Sequence, residues 1–270
     1  MPNELTLDEI KKTFRDKVVG KWIAEGRAGN AGSAGNTLED LLGVEENNLK
    51  IADLGKYELK THDNATSSLL TLLHREPKPR ASVPKLLKAL GWRHEQAGLK
   101  YDDDERSFRS TTRARVSSDR GLVVDFCSRE NRIEFSFQPS EVARDKIDKT
   151  KVYATYGDWA DDVEKRTNPS YKEIFPIYWE ADVLANAIKT KLDHTLLTFY
   201  DSRGEDGNRE FRFTSVVLLS GVKVEMIETL FEEHALYVDF DARTGHNHGT
   251  KIRIDMKHVS RLFAKFEKVI

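Results

Sequence analysis

Apolar residues recur along this chain in two periods, one typical of helices and the other typical of strands. The helical pattern predicts helices over 7–23, 38–42, 84–90, 180–192, 222–231 and 259–269, with a further short helix over 140–148. Runs rich in β-branched and apolar residues predict strands over 57–62, 69–74, 194–200, 210–219, 236–240 and 251–254, with three more between 107 and 137. Helices and strands without a regular βαβ rhythm predict a mixed α+β (α/β) fold.

Polar turns between the strands indicate which of them pair. The turn over 202–208 predicts a hairpin of 194–200 with 210–219, and a polar loop predicts a second hairpin of 236–240 with 251–254. We also expect 69–74 to pair with 57–62. Glycines at every third position from Gly26 to Gly35 predict a loop, after which Asn36 or Thr37 caps a short helix that Gly43 closes. This loop lacks the lysine and the preceding strand of an NTP-binding P-loop.

Length suits one large domain or two lobes, and we expect residues 1–270 to form a single folded domain. The 39% of hydrophobic residues suffices for a substantial core, and no apolar run approaches the length of a membrane span. The first residues lack the basic and apolar regions of a secretory signal. The single cysteine, Cys127, excludes an internal disulfide and fits a reducing cytoplasm; we expect it to fill the core on a buried strand.

Charge is distributed unevenly, although the net charge is only −2. Residues 102–105 form an acidic run that we expect to be solvated. The next window is strongly basic and offers contacts for a phosphate backbone. Its arginines are Arg106, Arg109, Arg113, Arg115, Arg120, Arg129 and Arg132.

The segment 53–60 carries the most informative polar residues of the chain. Side chains two apart on a strand share a face, so Glu58 and Lys60 project together while Leu59 enters the core. Asp53 precedes a Leu-Gly turn and can fold back to meet them. Two converging carboxylates suit Mg²⁺, and a neighbouring lysine can position or deprotonate a water, which is the minimum needed to hydrolyse a phosphodiester. The alternative is a solvated hairpin with an ordinary ion pair, but the apolar neighbours of these residues favour a strand against a core.

Two further segments offer candidate functional residues. Glu39 lies in the first turn of the helix predicted over 38–42, where it either supports the same site or simply favours the helix dipole. The polar tip of the last predicted hairpin is dense in hydrogen-bond donors. It is open to three interpretations: a weak zinc site, an ordinary surface loop, or a loop that reads DNA bases. Its residues are Arg243, His246, Asn247, His248, Lys251 and Arg253.

Taken in order along nearly the whole chain, several short motifs resemble the MvaI/BcnI type II restriction endonucleases, which are related to the mismatch-repair nickase MutH. The motifs are Gly35-Asn-Thr-Leu-Glu39-Asp-Leu-Leu, Ala52-Asp53-x₄-Glu58-Leu-Lys60-Thr-His62, Ser68-Leu-Leu-Thr-Leu, Ile177-Tyr-Trp179 and Gly245-His-Asn-His-Gly-Thr-Lys-Ile-Arg253-Ile. The resemblance implies a PD-(D/E)xK nuclease core with two lobes around a DNA cleft. Roughly 1–120 would form the catalytic lobe and 121–270 most of the recognition lobe.

The resemblance also implies roles for individual residues. Asp53 and Glu58 would hold Mg²⁺, Lys60 would orient the attacking water, and Glu39 matches a supporting acid of the MutH relatives. His74 matches a histidine that some members use near the central base pair. The residues that match the base-reading loop are His246, Asn247, His248 and Arg253. The implied substrate is double-stranded DNA with a short near-palindromic site, cut as a monomer that nicks each strand in turn, with a cognate methyltransferase as a candidate partner.

One departure from the family pattern matters for recognition, because the family usually has Asp where this chain has Asn247. An aspartate only accepts hydrogen bonds, whereas an amide both donates and accepts. We therefore expect the recognised sequence to be shifted, or read less strictly, relative to the CC-x-GG of relatives with Asp. Two rival functions stay open at this point: a MutH-like repair nickase that needs a partner ATPase, and a DNA-binding module without catalysis.

Overall fold

Helices and strands alternate in the mixed order that the sequence predicts, which confirms the mixed α+β fold. The computed structural model describes residues 6–26, 32–44, 54–167, 170–205 and 208–270. The helices are α1 Leu7–Thr13, α2 Ser33–Leu42, α3 Ser82–Leu90, α4 Tyr156–Thr167, α5 Ala181–Leu192, α6 Met226–Glu232 and α7 Met256–Leu262, with a π-helical turn over Phe14–Val18 and a 3₁₀ helix over Ser170–Ile174. The strands are β1 Trp22–Ala24, β2 Glu58–Asp63, β3 Leu70–His74, β4 Trp92–Arg93, β5 Arg106–Arg113, β6 Arg120–Cys127, β7 Arg132–Val142, β8 Ile177–Glu180, β9 His194–Arg203, β10 Glu210–Val222, β11 Leu236–Arg243, β12 His246–Ile254 and β13 Phe263–Lys268.

The chain divides into two compact units, each built from separate stretches of sequence. The first unit comprises Met1–Leu70, Asn186–Met226 and Asp255–Ile270, and the second comprises Thr71–Ala185 and Ile227–Ile254. Residue 120, near which the sequence analysis places a lobe boundary, lies inside the second unit. No helix within the described ranges is long and apolar enough to cross a bilayer.

The first unit is built on one sheet with the order β1-β10-β9-β2, and β13 also pairs with β10. Strands β9 and β10 form the predicted hairpin, whereas β2 runs parallel to β9 with Glu58 opposite Thr195. Phe14, Leu59 and Phe213 are buried together in its core. The buried side of β2 therefore fixes the direction in which its polar side chains point.

The second unit contains two sheets, with the orders β3-β12-β11-β5-β4 and β6-β7-β8. Strands β11 and β12 form the second predicted hairpin, but β12 begins at His246, so the polar tip is shorter than predicted. The ring centroids of Phe135 and Phe240 lie 4.8 Å apart and those of Phe108 and Phe240 lie 5.4 Å apart. This aromatic cluster packs one face of the larger sheet and leaves the other face polar.

The predicted pairing of 69–74 with 57–62 is wrong. Strand β3 lies beside β12, and Arg75 N–H donates to the Thr250 carbonyl just beyond it. Alternation of apolar residues marks a strand and its buried face, but it does not specify a partner. The partner of β2 comes from much later in the chain.

Three predicted helices are also wrong in part or entirely. The helix over 7–23 ends in the π-helical turn at Val18, and Gly20, with φ +81°, redirects the chain so that β1 pairs with β10. The segment 140–148 has no helix, because β7 continues to Val142 opposite Arg120. The helix over 259–269 stops at Leu262, after which β13 pairs with β10. In each case strand pairing overrides a locally helical pattern.

The remaining local predictions are confirmed with shifted bounds. The helices predicted over 84–90 and 180–192 correspond to α3 and α5, and that over 222–231 begins later as α6. Helix α2 ends at Gly43, with φ +70°, as predicted, but it starts at Ser33. Asn36 and Thr37 are therefore both inside the helix, where the Thr37 hydroxyl donates to the Ser33 carbonyl, and the prediction that one of them caps the helix is wrong. Cys127 lies on β6 but is partly exposed, so its predicted burial is also wrong.

Candidate functional site

Glu58 and Lys60 lie on one face of β2, as the alternation of that strand predicts. Lys60 Nζ donates to Glu58 Oε1 at 2.6 Å, and the Glu58 side chain is only 1% exposed. Leu59 points the other way and packs in the core. A buried carboxylate held by a lysine is therefore present where the sequence analysis places the catalytic residues.

A second lysine, Lys191, reaches the same carboxylate from the last turn of α5. Its Nζ lies 3.3 Å from Glu58 Oε1, and its side chain is 27% exposed. Helix α5 leads directly into β9, and β9 pairs with β2 beside Glu58. Lys191 is remote from Glu58 in the chain, so no local pattern of the sequence places the two side chains together. The available signal was a lysine in the last turn of a helix that runs straight into a strand.

Glu39 lies on the helix that packs against β2. A methyl group on Gly35 of α2 would lie 3.7 Å from Thr61 Oγ1 of β2, so the helix and the strand are in van der Waals contact there. Glu39 follows Gly35 by one turn on the same helical face and is partly exposed. Asp53, the other predicted carboxylate, lies outside the described residues.

The Glu58 carboxylate is a suitable ligand for a hard divalent cation. Carboxylate oxygens are the ligands that Mg²⁺ takes in proteins, and Glu58 supplies one in a site already rich in charge. Among the described residues, no group of three or more His, Cys, Asp and Glu side chains is close enough to hold a metal.

His62 continues the same side of β2 and is uncharged at neutral pH. Its ring is nearly buried and meets Phe199 edge to face, with centroids 5.9 Å apart. Burial lowers the pKa of His62, and this effect exceeds the opposing effects of Asp63 and the Thr66 backbone. The positive charge on this side of the strand therefore comes from the lysines.

In the second unit, the polar face of β5, β11 and β12 carries ion pairs that join neighbouring strands. Arg253 lies 3.3 Å from Asp239, and Asp241 lies 3.1 Å from Arg109 and 3.5 Å from Lys251. The sequence analysis proposed Lys251 and Arg253 but missed the two aspartates. Their alternation with buried Val238 and Phe240 was the signal that could have identified them.

Asn247 is held by its neighbours through both ends of its amide. Its Nδ2 donates to Glu76 at 3.2 Å, and its Oδ1 accepts from the Gly249 N–H at 2.9 Å. Glu76 also accepts from the Thr250 N–H at 2.8 Å. His74 lies close by, since a methyl group on Gly249 would be 3.4 Å from its Nδ1. The structure thus brings together His74 and Asn247, with Glu76 as a partner that the sequence analysis missed.

The other residues of the predicted base-reading loop have different environments. His246 and His248 are exposed on β12, and their ring centroids lie 4.2 Å apart. Arg243 is instead engaged within the protein, where it donates to Glu105 at 3.0 Å and lies over the Tyr101 ring. Glu105 is buried, so the prediction that 102–105 is solvated is wrong at that residue.

The arginine window is largely engaged within the protein. Arg120 is buried, donates to Asp148 at 2.8 Å and lies over the rings of Trp92 and Trp159. The prediction that this arginine contacts phosphate is therefore wrong. Arg113 donates to the His234 carbonyl, whereas Arg129 is 88% exposed.

Comparison with known proteins gives one family. The model of the MvaI/BcnI restriction endonuclease family matches residues 12–263. A solved structure described as a restriction endonuclease MvaI–cognate DNA substrate complex matches over 100% of both chains, with a TM-score of 0.74 and 22% identity, and it supports the fold. A structure of MvaI in the absence of DNA matches over 100% of this chain and 99% of its own, with a TM-score of 0.47 and 19% identity. Comparison with curated proteins gave no match.

Proposed function

The chain belongs to the MvaI/BcnI restriction endonuclease family, whose members are type II site-specific deoxyribonucleases, and we propose that it cuts DNA at the carboxylate held by Lys60 and Lys191. The observation that carries this proposal is the buried carboxylate of Glu58 with two ammonium groups on one of its oxygens. The two ammonium groups replace the water that this buried carboxylate loses on folding, and a carboxylate oxygen is the kind of ligand that a divalent cation takes.

Residues of the first unit have separate roles in the proposed hydrolysis of the phosphodiester bond. Glu58, with Asp53, would hold a divalent cation such as Mg²⁺, which supplies Lewis acidity and lowers the pKa of a bound water. Lys60 Nζ orients the attacking water. Its positive charge also stabilises the negative charge that develops on the scissile phosphate. Glu39 supports this site from the adjoining helix.

The polar face of the second unit supplies the groups that base reading needs. In the major groove guanine offers acceptors to Arg or Lys, and cytosine offers an amino donor to Asp. Arg253 lies beside Asp239, and Arg109 and Lys251 lie beside Asp241. Each group therefore combines a positively charged donor with a carboxylate acceptor. We propose that they read C·G pairs, and that His74, His246, Asn247 and His248 contribute the remaining contacts. Exposed arginines such as Arg129 offer phosphate contacts, which makes the affinity fall as salt rises.

We propose that the protein acts as a monomer that nicks the two strands in turn, and that it works in the cytoplasm. Incubation of supercoiled plasmid with protein and Mg²⁺ should give nicked circles first and linear DNA later. Sequencing of the DNA ends should then return one short near-palindromic site. Nicked circles that never become linear would instead support a repair nickase.

Substitution of the catalytic lysine tests the assignment of the site. We expect Lys60→Ala to lower the cleavage rate by about 10²–10³-fold, the range typical of a lost group that stabilises charge in the transition state, while DNA binding in Ca²⁺ stays measurable. Glu58→Gln should behave similarly, because a neutral amide lacks the negative charge with which a carboxylate holds a divalent cation.

Lys265→Ala is the matched control, since this lysine is exposed on β13 of the same unit. Plasmid cleavage and a gel-shift assay are the two measurements. Full activity of the Lys60→Ala protein would refute the assignment.

A further inference from the structure

Glu58 has more positive charge around it than a catalytic lysine alone explains. Lys60 and Lys191 both approach Oε1, at 2.6 Å and 3.3 Å, and the carboxylate is 1% exposed. A buried carboxylate is strongly disfavoured unless opposite charge replaces its lost hydration. In the protein as described, the two lysines provide that replacement.

The two lysines differ in how firmly they are placed. Lys60 lies on the same strand as Glu58, has the shorter contact and is 18% exposed. Lys191 lies in the last turn of α5, where a positive charge also favours the helix dipole, and it is 27% exposed with the longer contact. Lys191 is therefore the group that can leave Glu58 for water at the lower cost.

We propose that Lys191 is a positioning residue that neutralises Glu58 until a divalent cation binds, and that the cation displaces it. This inference rests on the proposed function, because it takes Glu58 as a ligand of the cation. Two like charges compete for one carboxylate, so Lys191 weakens cation binding while it stabilises the cation-free protein. The cation-free protein is thereby folded with the Glu58 carboxylate already oriented to bind the cation.

The test is Lys191→Met, which keeps the length of the side chain and removes its charge. Ca²⁺ serves as the probe, and its affinity is measured by isothermal titration calorimetry. We expect Ca²⁺ to bind about three- to tenfold more tightly to the variant, which corresponds to the loss of one weak competing ion pair. In EDTA the variant should melt about 2–6 °C lower than the parent, and saturating Ca²⁺ should remove most of that difference.

Two further variants separate this role from simple packing. Lys189→Met lies on the same helix, is exposed, and should match the parent in both measurements. Lys191→Arg keeps the charge and should keep the parent's Ca²⁺ affinity. If Lys191→Met is unfolded in EDTA, refolding on addition of Ca²⁺ supports the proposal, and failure to refold contradicts it.

The remaining outcomes also decide between the proposals. Equal Ca²⁺ affinity in Lys191→Met and the parent, or a melting temperature lowered equally with and without Ca²⁺, would overturn this inference and leave the proposed function intact. A parent protein that neither binds Ca²⁺ nor cleaves DNA in Mg²⁺ would instead overturn the proposed function.

Discussion

Arg120 is a buried, positively charged residue of the second unit, and its contacts stabilise the fold. Its guanidinium meets Asp148, which has no exposed surface, and lies 4.3 Å from the ring centroid of Trp92 and 4.8 Å from that of Trp159. Burial alone would raise the pKa of Asp148, but hydrogen bonds from Thr150 and the charge of Arg120 outweigh it and lower the pKa. Asp148 is therefore ionised at neutral pH and forms a buried ion pair with Arg120.

Loss of one member of this pair should be strongly destabilising. We expect Asp148→Ala to lower the free energy of unfolding by about 3–5 kcal/mol, because Arg120 would be left buried without its counter-charge. Chemical denaturation at pH 7 measures the change. Asp145→Ala, at an exposed position nearby, is the control and should change the free energy by less than about 0.5 kcal/mol. A fully stable Asp148→Ala protein would show that Arg120 is not held in this way.

At the scale of elements, the pairing of β3 with β12 sets the chemistry available at Asn247. It brings Glu76, just after β3, against the start of β12, where Asn247 donates to the carboxylate and also accepts from Gly249. An aspartate at this position could accept but not donate, and it would place two carboxylates side by side. The amide of Asn247 is therefore compatible with the Glu76 carboxylate beside it, whereas an aspartate would be repelled by it.

This coupling predicts a specific outcome for Asn247→Asp. The variant should lose about 0.5–1 kcal/mol of stability, a modest amount because the pair is exposed, and Glu76→Gln should restore it. Site selection should change in Asn247→Asp as well, which end sequencing after digestion of a random-sequence library would reveal. Equal stability of the single and double variants, together with unchanged site selection, would show that the two residues are independent.

The local periodicity of apolar residues predicts individual helices and strands better than it predicts which strands pair. Alternation identified β2, the shared face of Glu58 and Lys60, and both long hairpins, since each depends on neighbours in sequence. It missed the pairing of β2 with β9 and therefore missed Lys191, which reaches Glu58 only through that pairing. The strand at 263–268 was mistaken for helix for the same reason, because its structure depends on β10.

At the scale of the whole molecule, the chain passes between the two units four times, after residues 70, 185, 226 and 254. The strands of the first sheet consequently come from both ends of the sequence. Strand β2 needs β9, and β1 needs β10, yet a whole stretch of the second unit lies between them in the chain. Neither unit corresponds to a single contiguous segment.

This arrangement predicts the behaviour of a fragment. Residues 1–120, which the sequence analysis proposed as a catalytic lobe, should not fold alone, because β1 and β2 would lack their partners and the hydrophobic core would be incomplete. Circular dichroism and thermal unfolding of the purified fragment provide the measurement, with the full chain as the reference. A cooperative unfolding transition in the fragment would contradict the prediction.

The same interleaving determines how a chimaera between family members has to be designed. The polar face of β5, β11 and β12 is the surface that we propose contacts DNA bases. Strand β5 comes from one stretch of the second unit, and β11 and β12 come from the other. Transplanting residues 71–185 alone would join a foreign β5 to a resident β11 and separate the partners of the Arg109–Asp241 pair between two parent sequences. An exchange of specificity therefore requires residues 71–185 and 227–254 to be grafted together from the same donor.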